Sequence, residues 1–160
     1  MVATGSTSKK RSGASSKSKP PERVVFFVDR SLGRKRIAAA LRAAGAQVHV
    51  HDDFFAADAP DVAWLERAGR EGWIVLTKDR AIRWRAVECT VLMTAGVRAF
   101  TLSSGNLQGK EMAEIFVKAL LAIRRFAVKH EPPFIGAVAK SGKVTLLLSG
   151  KQWHRQRQGR

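Results

Sequence analysis

Cysteine is nearly absent: Cys89 is the single one in 160 residues. That excludes an internal disulfide and any zinc site built on several thiolates, and it fits a reducing compartment. The simplest role for Cys89 is that of a small buried apolar residue. No window approaches the roughly 18 apolar residues of a membrane span, and the N-terminus lacks the apolar centre of a secretory signal. A soluble cytoplasmic protein without membrane contact is expected. Acids are scarce too: 13 Asp and Glu face 29 Lys and Arg, giving a formal net charge of +16 and a pI near 11.3. So basic a balance calls for a polyanionic partner, nucleic acid before acidic lipid. No internal repeat is present.

The chain is 45% hydrophobic, enough for one domain with a core. Residues 1–22, with almost nothing to bury, read as a disordered basic tail; residues 23–149 read as the domain, and residues 150–160 as a second basic tail. Residues 1–23 carry +5 and residues 151–160 carry +4, which leaves +7 on residues 24–150. The folded part is therefore basic although it holds most of the acids.

Two continuous apolar runs, Val24 to Val28 and Trp73 to Thr77, read as strands buried on both faces, as in the middle of a parallel sheet. Gln47 to His51 alternates and should lie nearer a sheet edge. Val97 to Leu102 reads as a third inner strand. Helices are expected over Leu32–Ala44 with Gly45 as its cap, over Val62–Arg70 ended by Gly72, as a short basic segment Arg80–Val87, and over Lys110–Lys129. Phe134–Ala139 and Val144–Leu148, joined through Gly142, form a terminal hairpin. The alternation predicts an α/β fold in three layers, a central mainly parallel sheet between helices with a C-terminal hairpin added.

Asp29 and Asp79 each close a buried strand, where the carboxyl ends of an open α/β sheet face a ligand-binding crevice. Asp61 opens a helix on the face shared with Leu65 and Ala68, which turns it towards the sheet. Hard divalent ions take oxygen ligands, and these three acids meet that need. Lys78, Arg80, Arg83 and Arg85 stand by to hold phosphates. Each acid also has a plainer role: Asp61 as the dipole partner of its own helix, and Asp29 and Asp79 as loop acids capping the next helix. Asp52, Asp53 and Glu88 are candidate further ligands. His49 and His51 share a strand face; His-x-His-Asp metal binding competes there with two partly exposed strand residues. Trp64, Trp73 and Trp84 read as core or pocket-wall residues, and Trp153, among cations, as part of a solvated tail or a base-stacking group.

Taken together, Phe27-Val28-Asp29 followed by Leu32, the stretch Val48 to Asp53, Asp61 with Trp64-Leu65, and Trp73 to Asp79 resemble the PIN-like superfamily, most closely its VapC-type toxins. The resemblance implies an endoribonuclease dependent on Mg²⁺ or Mn²⁺, with Asp29, Asp61 and Asp79 as catalytic metal-binding acids, RNA as substrate and a separately encoded antitoxin as partner. PIN nucleases commonly show a fourth acid after a later strand; here Ser103, Ser104 and Asn106 come after the strand instead, and Asp53, Asp52 or Glu88 would have to serve. A homodimer through an exposed helix face is compatible with the chain. The alternative is a non-catalytic basic RNA-binding or ribosome-associated module of the same fold. A phosphoacceptor receiver domain needs an adjacent acid pair after the first strand, and Arg30 comes next to Asp29.

Overall fold

The computed structural model describes residues 24–159; the tail expected over residues 1–22 lies outside them. The six strands are β1 (Val25–Val28), β2 (Gln47–Val50), β3 (Ile74–Thr77), β4 (Arg98–Leu102), β5 (Phe134–Val138) and β6 (Val144–Ser149). They form one sheet in the order β2-β1-β3-β4-β5-β6. All neighbours pair in parallel except the hairpin β5 and β6. The alternating strand Gln47–Val50 is indeed the sheet edge, and the continuous runs lie inside.

Among the described residues five α-helices cover the sheet: α1 (Arg36–Ala43), α2 (Asp61–Glu71), α3 (Ala86–Ala95), α4 (Gly109–Lys129) and α5 (Gly150–Gln158). On one face α1 and α4 bury Phe26, Val28, Ile74, Leu76, Phe100, Phe116 and Ile123. On the other, α2, α3 and α5 bury Phe27, Val75, Ala99, Trp64, Leu92 and Trp153. Successive residues of β1 and β3 alternate between the two cores, as strand geometry requires. Gly72 and Gly96 end α2 and α3 in the left-handed region, at φ 75° and 77°, and turn the chain into β3 and β4.

Three expectations need correcting. Leu32 is buried in a single 3-10 turn, Arg30–Leu32, and the first α-helix starts only at Arg36. The segment Arg80–Val87 is not one short helix: a 3-10 turn at Ile82–Trp84 precedes α3, which extends to Ala95. Residues 150–158, read as a solvated tail, form α5, in which Ser149 and Gln152 make a reciprocal capping box and Trp153 is buried.

Candidate functional site

β1 and β3 run side by side, and continuing their register by one residue past Val28 and Leu76 sets Asp29 beside Thr77. The Asp29 amide extends the ladder by donating to the Leu76 carbonyl at 3.0 Å. Both side chains emerge on the face covered by α2 and α3. Asp29 is 8% exposed, and its Oδ2 accepts hydrogen bonds from Thr77 Oγ1 at 2.8 Å and Ser31 Oγ at 2.7 Å. Charge-assisted bonds of this kind fix a buried carboxylate in one orientation. The same hydroxyls tie in the next loop: the Lys78 amide donates to Ser31 Oγ and the Asp79 amide to Thr77 Oγ1.

Asp79 is thus placed two residues past Thr77, half-buried, with Oδ1 accepting from the Ala81 amide at 3.0 Å and Oδ2 paired with Arg85. Arg80 reaches the other way and donates to the Ser103 carbonyl at 2.9 Å. Ser31, Lys78, Asp79, Arg80, Ala81 and Trp84 line an open cleft of about 520 Å³. A larger cleft, about 630 Å³ and lined among others by His130, Pro133, Lys151 and His154, opens at the opposite end of the sheet. Size alone does not mark a site; Asp79 between Lys78 and Arg80, next to the Asp29 network through Ser31, favours the smaller cleft.

Asp61 opens α2, whose crossover from the end of β2 to the start of β3 puts that helix terminus at the same end of the sheet as Asp29 and Asp79. Its Oδ1 accepts from Trp64 Nε1 at 3.1 Å, and Trp64 in turn stacks on Phe27 at 5.5 Å between ring centres. Among the described residues, no three His, Cys, Asp or Glu side chains lie close enough together to enclose one ion. Asp29 and Asp79 nevertheless offer hard oxygen donors with no competing thiolate, and Mg²⁺ is commonly held by one or two carboxylates with waters and substrate phosphates completing the shell. The donor chemistry fits such an ion.

The remaining candidates stand further out. Asp52 and Asp53 fall in a 3-10 turn after β2; Asp52 pairs with Arg34 at 2.9 Å and with His51 at 3.3 Å, while Asp53 is exposed. Glu88 lies in the first turn of α3. His49 packs on Trp73 and Phe54, and His51 on Phe55, so both belong to an aromatic cluster around Phe27. Cys89 is buried, and desolvation pushes its thiol above the usual range, as suits a packing residue.

Sequence reasoning missed Ser31, Thr77 and Thr101. Thr77 and Thr101 are register partners on β3 and β4, and with Asp29 they form a polar row across three strand ends above the apolar row Phe27, Val75 and Ala99. A threonine closing an otherwise apolar run, and a serine two residues past a strand-end acid, were the available signals.

The fold is that of a doubly wound α/β domain with Asp29 and Asp79 following two adjacent parallel strands, and similarity to known proteins narrows its class. The model of the PIN-like domain family matches residues 24–104. A curated protein of Mycobacterium tuberculosis named "Putative ribonuclease VapC45" is 32% identical over 126 residues, covering 76% of this chain and 91% of that protein. The chain belongs to the PIN-like domain family. No solved structure matches it significantly.

Proposed function

We propose that the chain is a metal-dependent endoribonuclease, the toxin of a toxin–antitoxin pair. The observation that carries this reading is the Asp29 and Asp79 pair, locked to adjacent strand ends by Ser31 and Thr77 and bordered by Lys78, Arg80 and Arg85 in a basic domain. The similarity to a protein named a ribonuclease supports it. Asp29 and Asp79 would hold Mg²⁺ or Mn²⁺, with Asp61 as third acid and Asp53 as a further candidate. The ion, when bound, polarises the scissile phosphate and lowers the pKa of an attacking water. The protein's own work is to hold the carboxylates still and to bind the strand: Ser31 and Thr77 orient Asp29, while Lys78, Arg80, Arg83 and Arg85 neutralise flanking phosphates. The proposal includes a cytoplasmic location, a cognate antitoxin and a homodimer; light scattering of the purified chain reads the last.

Purified protein incubated with single-stranded and structured RNA should cleave it with Mg²⁺ or Mn²⁺ and not with EDTA. The Asp29→Asn/Asp79→Asn double variant should fold and fail to cleave. Equal cleavage by that variant would remove both acids from the mechanism. The dispersal of the acids, with no three around one point among the described residues, favours a second reading: a non-catalytic RNA-binding module. It predicts tight, salt-sensitive binding without cleavage in any metal.

A further inference from the structure

Of the four tryptophans, Trp64, Trp73 and Trp153 are 2%, 5% and 9% exposed, whereas Trp84 is 72% exposed. Leaving the largest apolar side chain in water gains nothing for the fold; what singles Trp84 out is where it stands. Trp84 lines the same cleft as Ser31, Lys78, Asp79 and Arg80. It ends the 3-10 turn Ile82–Trp84, whose buried Ile82 anchors the turn in the core. The Arg83 guanidinium sits 4.6 Å from the centre of the Trp84 ring, covering one face and leaving the other open. The Arg83 Nε is buried without a partner.

We propose that Trp84 is a stacking platform for a nucleobase of a single-stranded RNA whose phosphates are held by Lys78 and Arg80 of the same cleft, an inference that rests on RNA being the substrate. The surroundings select this occupant over a protein surface: the indole stands beside a carboxylate and cations, a mixture matched by a nucleotide, which offers a flat apolar base and an anionic phosphate a few ångströms apart. Indole rings stack on all bases, so the platform binds a base without choosing its identity. An arginine already on one face adds cation–π attraction to the stack.

The test uses the full chain in EDTA, so that no cleavage intervenes. A short single-stranded RNA and an abasic oligoribonucleotide of the same length are titrated against wild type, Trp84→Ala and Trp84→Phe by fluorescence anisotropy. Trp84→Ala should weaken binding of the base-bearing RNA by about 5- to 100-fold and leave the abasic oligomer unchanged, while Trp84→Phe stays close to wild type. RNA should also shield the wild-type emission from acrylamide, because Trp84 is the well-exposed tryptophan. Unchanged RNA affinity in Trp84→Ala overturns the proposal, including the case in which Trp84 serves a protein partner. An equal loss on the abasic oligomer overturns it as well. If stacking is found but no metal gives cleavage, the ribonuclease reading fails and the platform stands; if cleavage depends on Asp29 and Asp79 but Trp84→Ala binds normally, the reverse holds.

Discussion

Thr77 and Thr101 make a matched pair for testing what holds the strand-end site together. They are register partners on neighbouring strands, 1% and 2% exposed, yet Thr77 Oγ1 donates to the Asp29 carboxylate and accepts from the Asp79 amide, whereas Thr101 Oγ1 has no partner. Valine replaces threonine at almost constant volume, so neither substitution opens a cavity. Thr77→Val removes a bond to a charged acceptor, of about 1.5–3 kcal/mol, and strands the half-buried Asp79 amide. Asp29 keeps Ser31, so the expected net loss is about 2–4 kcal/mol, or roughly 1–2 M in urea midpoint at a slope near 2 kcal/mol/M. Thr101→Val removes a buried hydroxyl that satisfies nothing and should be neutral or stabilising by up to about 1 kcal/mol. Urea unfolding monitored by circular dichroism reads both. Equal losses in the two variants would refute the reasoning, because burial and shape would then outweigh the bonding difference.

The same contacts predict other outcomes. A Cβ on Gly69 would collide with the Ala95 backbone, coming within 2.8 Å of its carbonyl carbon, so Gly69→Ala should separate α2 from α3 and cost about 2–3 kcal/mol by thermal unfolding. Trp153→Ala should cost about 3 kcal/mol by chemical denaturation; no loss would mean that α5 contributes nothing to the core. Asp61→Asn keeps an acceptor for Trp64 Nε1 and should hold stability within about 1 kcal/mol while reducing RNA cleavage at least tenfold; unchanged cleavage would confine Asp61 to its structural bond.

Strands were the most legible part of the fold, because two-sided burial leaves continuous apolar runs and an edge leaves alternation. α3 was not legible: Val87, Cys89, Val91, Leu92 and Met93 spread apolar character around the helix instead of along one stripe. α5 was misread because cations dominate its composition, although Ser149 and Gln152 stand at capping-box spacing and its one buried side chain, Trp153, suffices to dock it. At the site, the acids that follow apolar strands were readable as such, and Asp79 lines the cleft while Asp29 lies buried beside it. The groups that orient them were not, because Thr77 reads as one more strand residue and its bond to Asp29 spans 48 positions. The pairing of Asp79 with Arg85 also depends on how the loop folds back, which residue order leaves open.

The most direct test of the central claim, that the strand-end carboxylates hold a divalent ion, is a calorimetric titration of Mn²⁺ into the purified chain and into its Asp29→Asn/Asp79→Asn variant, both shown to be folded. Saturable binding to the wild type, weakened at least tenfold in the variant, is the predicted result. Equal binding to both, or RNA cleavage that persists when no ion is bound, would contradict it.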